Sequence, residues 1–190
     1  MRTVVTRLDV LREIAMDQHG LVTTAQALEE GVTHDQLSKM VSRGRLTRVG
    51  HGVYQVPQVP ATRYDNWAKA VLWTGAPEAC LSHETALAAW EITDINPDRI
   101  HLLVGKNRRL RRAGGQRYVI HHHDLEPKQR TWFEQIPITS VPTTIEQCID
   151  WGTPTYLIKQ AFKRTEGTSW LLPADRDRLA QRLEDRDHGH

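Results

Sequence analysis

Cysteine is nearly missing from this chain of 190 residues, which carries only Cys80 and Cys148. Two thiols cannot build the bridge framework of a small secreted domain or the Cys-based ligand set of a structural zinc site. Long apolar runs are missing too. None approaches the ~20 residues that cross a bilayer, so no membrane contact is expected. The opening stretch 1–10 alternates charged and apolar residues and lacks the continuous apolar segment of a secretion signal. A protein of the cytoplasm with reduced thiols is the expectation. Internal repeats are absent, and low complexity is confined to the charged tail. What remains is enough to fold: 39% of the residues are hydrophobic, 25% are charged and six are Trp, a composition unlike that of disordered chains. The length allows one large domain or two small ones, at roughly 100–200 residues per domain.

The formal net charge of +2 hides an uneven distribution. Between residues 36 and 64 stand five bases (Lys39, Arg43, Arg45, Arg48, Arg63) and no acid. Between 99 and 123 stand seven (Arg99, Lys106, Arg108, Arg109, Arg111, Arg112, Arg117), again without an acid. All 23 acids therefore lie elsewhere. Two cationic windows on an acidic body point to polyanion contacts at defined places, with ordinary solvated faces as the alternative for either window alone.

The first window sits in a recognisable pattern. Residues 6–18 place Leu8, Leu11, Ile14 and Ala15 on one helical face, and Gly20 ends the run. Thr23 and Gln26 then have the spacing of a capping box, with Val22 and Ala27 placed as a hydrophobic staple. Gly31 stops this short second helix. The signal repeats at once, with Val32, Thr33, Gln36 and Leu37 opening a third helix over 34–43. Two short helices joined across a glycine are the mark of a helix-turn-helix. The third helix keeps Leu37, Met40 and Val41 on one side and Asp35, Ser38, Lys39, Ser42 and Arg43 on the other, with Gln36 flanking and Thr33 at the cap. A major groove ~12 Å wide admits such a helix. Lys and Ser also face solvent on ordinary helices, but the residues after Gly44 favour the groove. Arg45-Leu46-Thr47-Arg48-Val49 and Val53-Tyr54-Gln55-Val56 alternate like paired strands around Gly50-His51-Gly52. Arg45, Arg48 and His51 would project along this wing. Thr33, Asp35, Gln36, Ser38, Lys39, Ser42, Arg43, Arg45, Arg48 and His51 are thus the candidate DNA-binding residues.

Pro57 and Pro60 break the periodicity, which sets domains at 1–58 and 62–190, and all six Trp fall after the break. Helices are expected over 64–73, from a Ser82 cap to about Trp90, from a Thr143 or Thr144 cap to Trp151, over 155–164 and over 174–187. Strands are expected over 100–104 and 117–122, flanking a basic loop at a hairpin tip. The fold class is therefore α+β: an N-terminal winged helix-turn-helix followed by a mixed α/β C-terminal domain. Lys106, Arg108, Arg109, Arg111 and Arg112 in the loop form a second basic contact surface, open to DNA, a protein partner or RNA. A solvated turn that guards a sheet edge would have the same composition.

Recognisable catalytic patterns are absent. His121-His122-His123-Asp124 offers two imidazoles on one strand face, His121 and His123, where zinc takes three or four ligands, so neither metal nor cofactor is expected. His83-Glu84 lacks the second His of a metalloprotease helix. A nucleophile elbow, a phosphate-cradling loop and a dinucleotide fingerprint are missing. Gly114-Gly115 serves a turn, and Asp94 and Asp98 lack the matching acid and Lys of a nuclease centre. No enzymatic activity is expected.

The run from Ala27 to Val56, above all Arg43-Gly44-Arg45-Leu46 and Arg48-Val49-Gly50-His51-Gly52-Val53-Tyr54, resembles the N-terminal winged helix of AbiEi-type antitoxins of bacterial type IV toxin–antitoxin systems. Downstream, Leu81-Ser82-His83-Glu84-Thr85-Ala86 resembles the family's LSHxTA helix start. Ile136-Pro137-Ile138-Thr139-Ser140 resembles its GxPVTS segment, with Gln135 where Gly is common, and Val141-Pro142-Thr143-Thr144-Ile145 replaces the usual PARTLLD. The resemblance spans about 6–151. It implies a winged helix that binds repeats in its own promoter and represses the operon, and a C-terminal domain that antagonises a nucleotidyltransferase-like toxin. Partners would then be double-stranded DNA and that toxin, with a monomer expected in solution. An antitoxin that acts by direct protein binding, with little DNA affinity, is the alternative.

Overall fold

The computed structural model describes residues 5–189, and these form two compact units. One comprises the chain to Pro77 together with Arg109–Gln116 and Glu134–Ile136; the other holds Glu78–Arg108, Arg117–Phe133 and the chain from Pro137 onward.

In the first unit, α1 (Arg7–Met16) is followed by β1 (Leu21–Thr23), α2 (Thr24–Glu29), α3 (His34–Ser42), β2 (Thr47–Gly50), β3 (Val53–Gln55) and α4 (Asp65–Thr74). Each of the first three helices opens with a complete capping box: Thr6 with Asp9, Thr23 with Gln26, and Thr33 with Gln36. These side chains satisfy amides that a helix start leaves without intrahelical partners. Gly31, at φ 72°, closes α2 with both bonds of a Schellman motif, its amide donating to Leu28 O and that of Val32 to Ala27 O. Val32 and Ala27 then join Leu11, Ala15, Val22, Leu37, Leu46 and Val56 in one buried cluster. The three-stranded sheet has order β1-β3-β2, both pairings antiparallel, with an irregularity between Arg48 and Gly50. Strand β1 lies outside the sequence expectation, which read Val22 and Thr23 as staple and cap. Three residues show no period of their own, and their pairing with Val53–Gln55 is non-local.

The unit division differs from the break expected at 57–60. Helix α4, with Trp67 and Trp73, clusters with the winged helix. The Trp73 indole N–H donates to Ala113 O at 2.8 Å, and a Cβ on Gly115 would stand 2.7 Å from the Trp73 ring. A tryptophan donor thus holds a segment that sequence order assigned to the C-terminal domain.

The second unit is built on a five-stranded mixed sheet with order β6-β5-β4-β8-β7. Its strands are β4 (Cys80–Leu81), β5 (Ile100–Val104), β6 (Tyr118–His122), β7 (Arg130–Phe133) and β8 (Ile136–Thr139), and its helices α5 (His83–Ala89), α6 (Val141–Trp151), α7 (Thr155–Arg164) and α8 (Pro173–His188). Leu87, Ile92, Ile145, Ile149, Ile158, Leu179 and Leu183 are among the core residues joining α5 to the last three helices. The architecture is α+β, as expected.

Three local expectations are corrected. Strands β5 and β6 pair in parallel, Ile100 with Tyr118 through Val104 with His122. The basic segment between them is therefore a crossover and not a hairpin tip, because parallel neighbours require the chain to return along the strand. Helix α6 begins at Val141 with Ser140 at the cap, ahead of Thr143 and Thr144. Pro142 fits its first turn, where a missing amide proton costs little, while Thr144 Oγ1 donates to Thr139 O at 3.1 Å. Ser82 stands at the cap of α5 but gives the helix no side-chain bond. Its hydroxyl pairs with His83 Nδ1 at 2.9 Å.

Strands β7 and β8 are joined by Glu134 and Gln135, both left-handed at φ 45° and 63°. Two successive positive φ values define the type I′ hairpin turn, for which glycine is the favoured residue. Gln135 occupies that strained position. Replacing it with Gly is expected to leave stability unchanged or raise it by up to about 1 kcal/mol, because relief of the left-handed strain outweighs the added unfolded-state entropy. Gln135→Val, β-branched, is expected to destabilise the fold. Chemical denaturation of the three proteins checks both.

Candidate functional site

The winged helix presents a cationic surface whose residues differ in how far they are already committed. Arg7 fastens α1 to the turn between α2 and α3, donating from Nη1 to Gly31 O at 2.6 Å and Glu30 O at 3.2 Å. Gly44, at φ 67°, repeats the Schellman closure at the end of α3, with its amide on Val41 O and that of Arg45 on Met40 O. The chain thereby turns from helix to wing with Arg43, Arg45, Thr47 and Arg48 exposed and Leu46 buried beneath them. On α3, Asp35, Ser38, Lys39 and Ser42 are exposed as expected.

Several candidates are occupied within the protein. Lys39 Nζ lies 2.7 Å from Asp35 Oδ2 one turn earlier. Both side chains are open to water, where such a pair contributes little and is readily exchanged for a phosphate. Gln36 is half-buried, and its Oε1 accepts from the Thr33 amide at 3.0 Å, so its carbonyl end is spent on the cap. Thr33 is spent in the same way, its Oγ1 accepting from Gln36 N at 3.2 Å. Ser42 Oγ donates to Lys39 O at 3.0 Å. Arg48 Nε reaches Gly50 O at 3.5 Å, and the residue is exposed. His51 is exposed at the wing tip, and its carbonyl accepts from Arg112 Nη1 at 3.2 Å.

That last contact divides the second basic window. Its five residues fall in different units. Arg109, Arg111 and Arg112 belong to the first unit, Lys106 and Arg108 to the second. Arg112 is half-buried on the wing turn, and Arg108 makes a two-pronged pair with Glu78 at 2.7 and 2.8 Å that holds the Glu78 carboxyl below its ordinary range. Lys106, Arg109 and Arg111 remain exposed.

Within the second unit, three histidines distant in sequence converge. His83 opens α5, His101 lies in β5 and His121 in β6, and one ring nitrogen from each stands within 4.8 Å of the others. His101 Nδ1 and His121 Nε2 are 3.0 Å apart, and the His83 ring stacks on that of His121 with centroids 3.5 Å apart. Trp151 turns its ring edge-on to all three, nearest His121 at 4.9 Å between centroids. Glu84 Oε2 lies 3.8 Å from His101 Nε2, and Glu84 Oε1 accepts from Thr153 Oγ1 at 3.0 Å. His83 itself is left-handed at φ 49°. Such a conformation costs of order 1–3 kcal/mol for a residue other than glycine and concentrates at functional positions. A cavity of about 490 Å³ reaches this cluster, with His83, His121, Glu146, Asp150, Trp151 and Arg182 in its wall. Arg182 bridges Asp150 at 2.8 Å and Glu146 at 3.5 Å.

Sequence spacing singles out the His121-His122-His123 run and offers nothing to complete a ligand set; the fold supplies His101 and His83. His123 does not join His121 in this cluster, and His122 Nε2 sits 3.1 Å from Arg108 O. Alternation along 100–104 could have marked His101 as an inward residue, but the partner strand and its direction were not legible.

Burial above all, then the neighbouring rings of His121 and His101, pushes His83 down to about 3. Burial and then His101 and His122 push His121 down to about 4. His101 is lowered by burial despite the opposing pull of Glu84. All three shifts favour the neutral imidazole.

A three-helix unit with an antiparallel cationic wing has the form of a winged helix-turn-helix. Residues 9–57 match the family described as "Transcriptional regulator, AbiEi antitoxin". Over these residues the chain is similar to a family described as transcriptional-regulator antitoxins. No curated protein matches the sequence. Among solved structures, the chain is similar to the crystal structure of RV2827C protein from Mycobacterium tuberculosis, with a TM-score of 0.49 and 16% identity over 98% of this chain and 78% of that one. Among the described residues, no helix is long and apolar enough to cross a membrane.

The depressed histidines set a pH dependence. Between pH 6.5 and about 4 the unfolded chain takes up protons that the folded cluster refuses, so the cluster's contribution to the unfolding free energy falls as pH falls through that window. Urea denaturation in EDTA at pH 7.5, 6 and 5 is expected to show this loss, with a smaller loss in His121→Gln.

Proposed function

We propose that this protein is the antitoxin of a type IV toxin–antitoxin system, binding repeats in its own promoter to repress the operon and antagonising a nucleotidyltransferase-like toxin. The observation that carries the reading is the winged helix itself. Its α3 exposes Ser38, Lys39 and Ser42, and its turn and wing expose Arg43, Arg45, Arg48 and His51 on one AbiEi-type domain. In this reading α3 enters the major groove. Lys39 exchanges Asp35 for a base edge or phosphate, and Arg45, Arg48 and His51 meet the backbone beside it. Arg109 and Arg111, in the segment that Arg112 ties to the wing turn, add cationic charge to the same unit. Gln36, held by its cap, has its amide N–H₂ left for base contact and a smaller part in recognition than its position on the helix implied. The protein acts by binding, without catalysis and in the cytoplasm, as a monomer between DNA encounters.

A second reading, neutralisation by direct contact with the toxin and little DNA affinity, is favoured by a different observation. Trp132, Trp151, Tyr156, Trp170 and Leu172 in the second unit are large apolar side chains at least 47% exposed. Aromatic residues of this kind anchor protein interfaces.

A mobility-shift titration on the DNA immediately upstream of the gene tests the first reading. The apparent association constant is expected to fall with salt at about 0.9 log units per log unit for each phosphate neutralised. Arg48→Ala is expected to weaken binding to all sequences and reduce that slope by about one contact, while Lys39→Ala changes the preferred sequence. Salt-insensitive binding, or no effect of either substitution, would overturn the assignment. Toxin captured equally well by wild type and by Arg48→Ala would assign neutralisation to the direct-contact route.

A further inference from the structure

We propose that His83, His101 and His121 form a site for one divalent transition-metal ion of the Zn²⁺ class, its fourth coordination position directed into the cavity that His83 and His121 line. The site is separate from DNA recognition, so failure of the DNA reading leaves it standing.

Three features carry the proposal. The first is geometry. Tetrahedral zinc with bonds of about 2.0–2.1 Å sets ligand nitrogens a little over 3 Å apart, and His101 Nδ1 and His121 Nε2 already stand 3.0 Å apart. One nitrogen from each of the three rings lies within 4.8 Å of the others, and the His83 ring, stacked on His121, closes on an ion by turning out of that stack. The second is the surroundings of the ligands. Metal-bound histidines direct their other nitrogen at a carboxylate or another polar group, which fixes tautomer and orientation. Here His101 turns Nε2 to Glu84, itself held by Thr153, and His83 turns Nδ1 to Ser82 Oγ. The third is placement. His83 and His101 are buried, His121 is half-buried, and the three come from two adjacent strands and the left-handed first residue of a helix. Three imidazoles in a core cost desolvation that a shared cation offsets.

Ligand type narrows the ion. Three imidazoles without a thiolate suit Zn²⁺, Cu²⁺, Ni²⁺ or Co²⁺, and the absence of a carboxylate within the nitrogen cluster argues against Mg²⁺ or Ca²⁺. On binding, the proton between His101 Nδ1 and His121 Nε2 moves to the far nitrogen of the ring that carries it, so both facing nitrogens present lone pairs and no ring loses its neutral state. Trp151, edge-on to all three rings, shields one side of the ion, while Glu146 and Asp150 in the cavity wall are already paired, Glu146 with Arg178 at 2.8 Å and Asp150 with Arg182 at 2.8 Å.

The test uses the untagged full chain, stripped with EDTA and dialysed. Calorimetric titration with Zn²⁺ is expected to show one equivalent bound, and Co²⁺ is expected to give the intense visible bands of four-coordinate nitrogen ligation. Glu84→Gln should weaken binding roughly 10–100-fold, and His121→Gln should weaken it further. His123→Gln, changed at an exposed residue, should bind as wild type does. Zn²⁺ should raise the melting temperature of wild type but not of His121→Gln. Should His121→Gln melt early in EDTA, the Glu84→Gln comparison decides by itself. No stoichiometric binding by wild type, or undiminished binding in Glu84→Gln, would overturn the site.

Discussion

The parallel pairing of β5 with β6 is the constraint on which most of this molecule turns. Side chains alternate across a strand, so the register that sets Leu103 beside His121 and His101 beside Val119 puts the two histidines on one face. The same pairing obliges the chain to return along the sheet between Gly105 and Arg117. The middle of that return, Arg109–Gln116, packs in the first unit, where Trp73 holds Ala113 and Arg112 reaches the wing turn at His51. An antiparallel hairpin would have pointed the arginines outward as a solvated tip and set different residues opposite His101.

The winged helix is held by a different kind of interaction, short in sequence and repeated. Three capping boxes and two Schellman closures give their helix ends defined partners, so α2 and α3 begin and stop where local side chains dictate. The buried cluster around Leu11, Leu37 and Leu46 then needs to choose only how finished helices pack. The same bonds restrict the surface. A glutamine that caps a helix with its carbonyl reads a base less freely than an exposed one, whereas the Lys39–Asp35 pair, open to water, is easily traded for a phosphate. Charge on this face is therefore best counted by what each cation is already holding.

Much of the first unit was legible because its determinants lie within four residues of one another: Thr33 and Gln36, Gly31 and Val32, Gly50 and Gly52. The helix at Asp65–Thr74 was legible from apolar spacing, and those at Thr155–Arg164 and Pro173–His188 were also expected. Strands β1, β4, β7 and β8 were not, since two to four residues without a pair of turn glycines beside them, such as the pair that marks the wing, carry too little alternation. The Glu134-Gln135 turn was missed because neither residue announces positive φ. The candidate DNA surface could be listed residue by residue. The histidine cluster could not, because its members stand 18 and 20 positions apart.

By itself, the order of residues determined where helices start and stop, which face of each is apolar, and where cations gather without acids. These are matters of local hydrogen bonding and periodicity, complete within a turn or two. Only the tertiary structure decided strand direction, the company kept by Arg108 and Arg112, and the meeting of His83, His101 and His121. Each of those rests on which distant segments share a sheet or a core, and alternation along a strand is identical whichever way its neighbour runs.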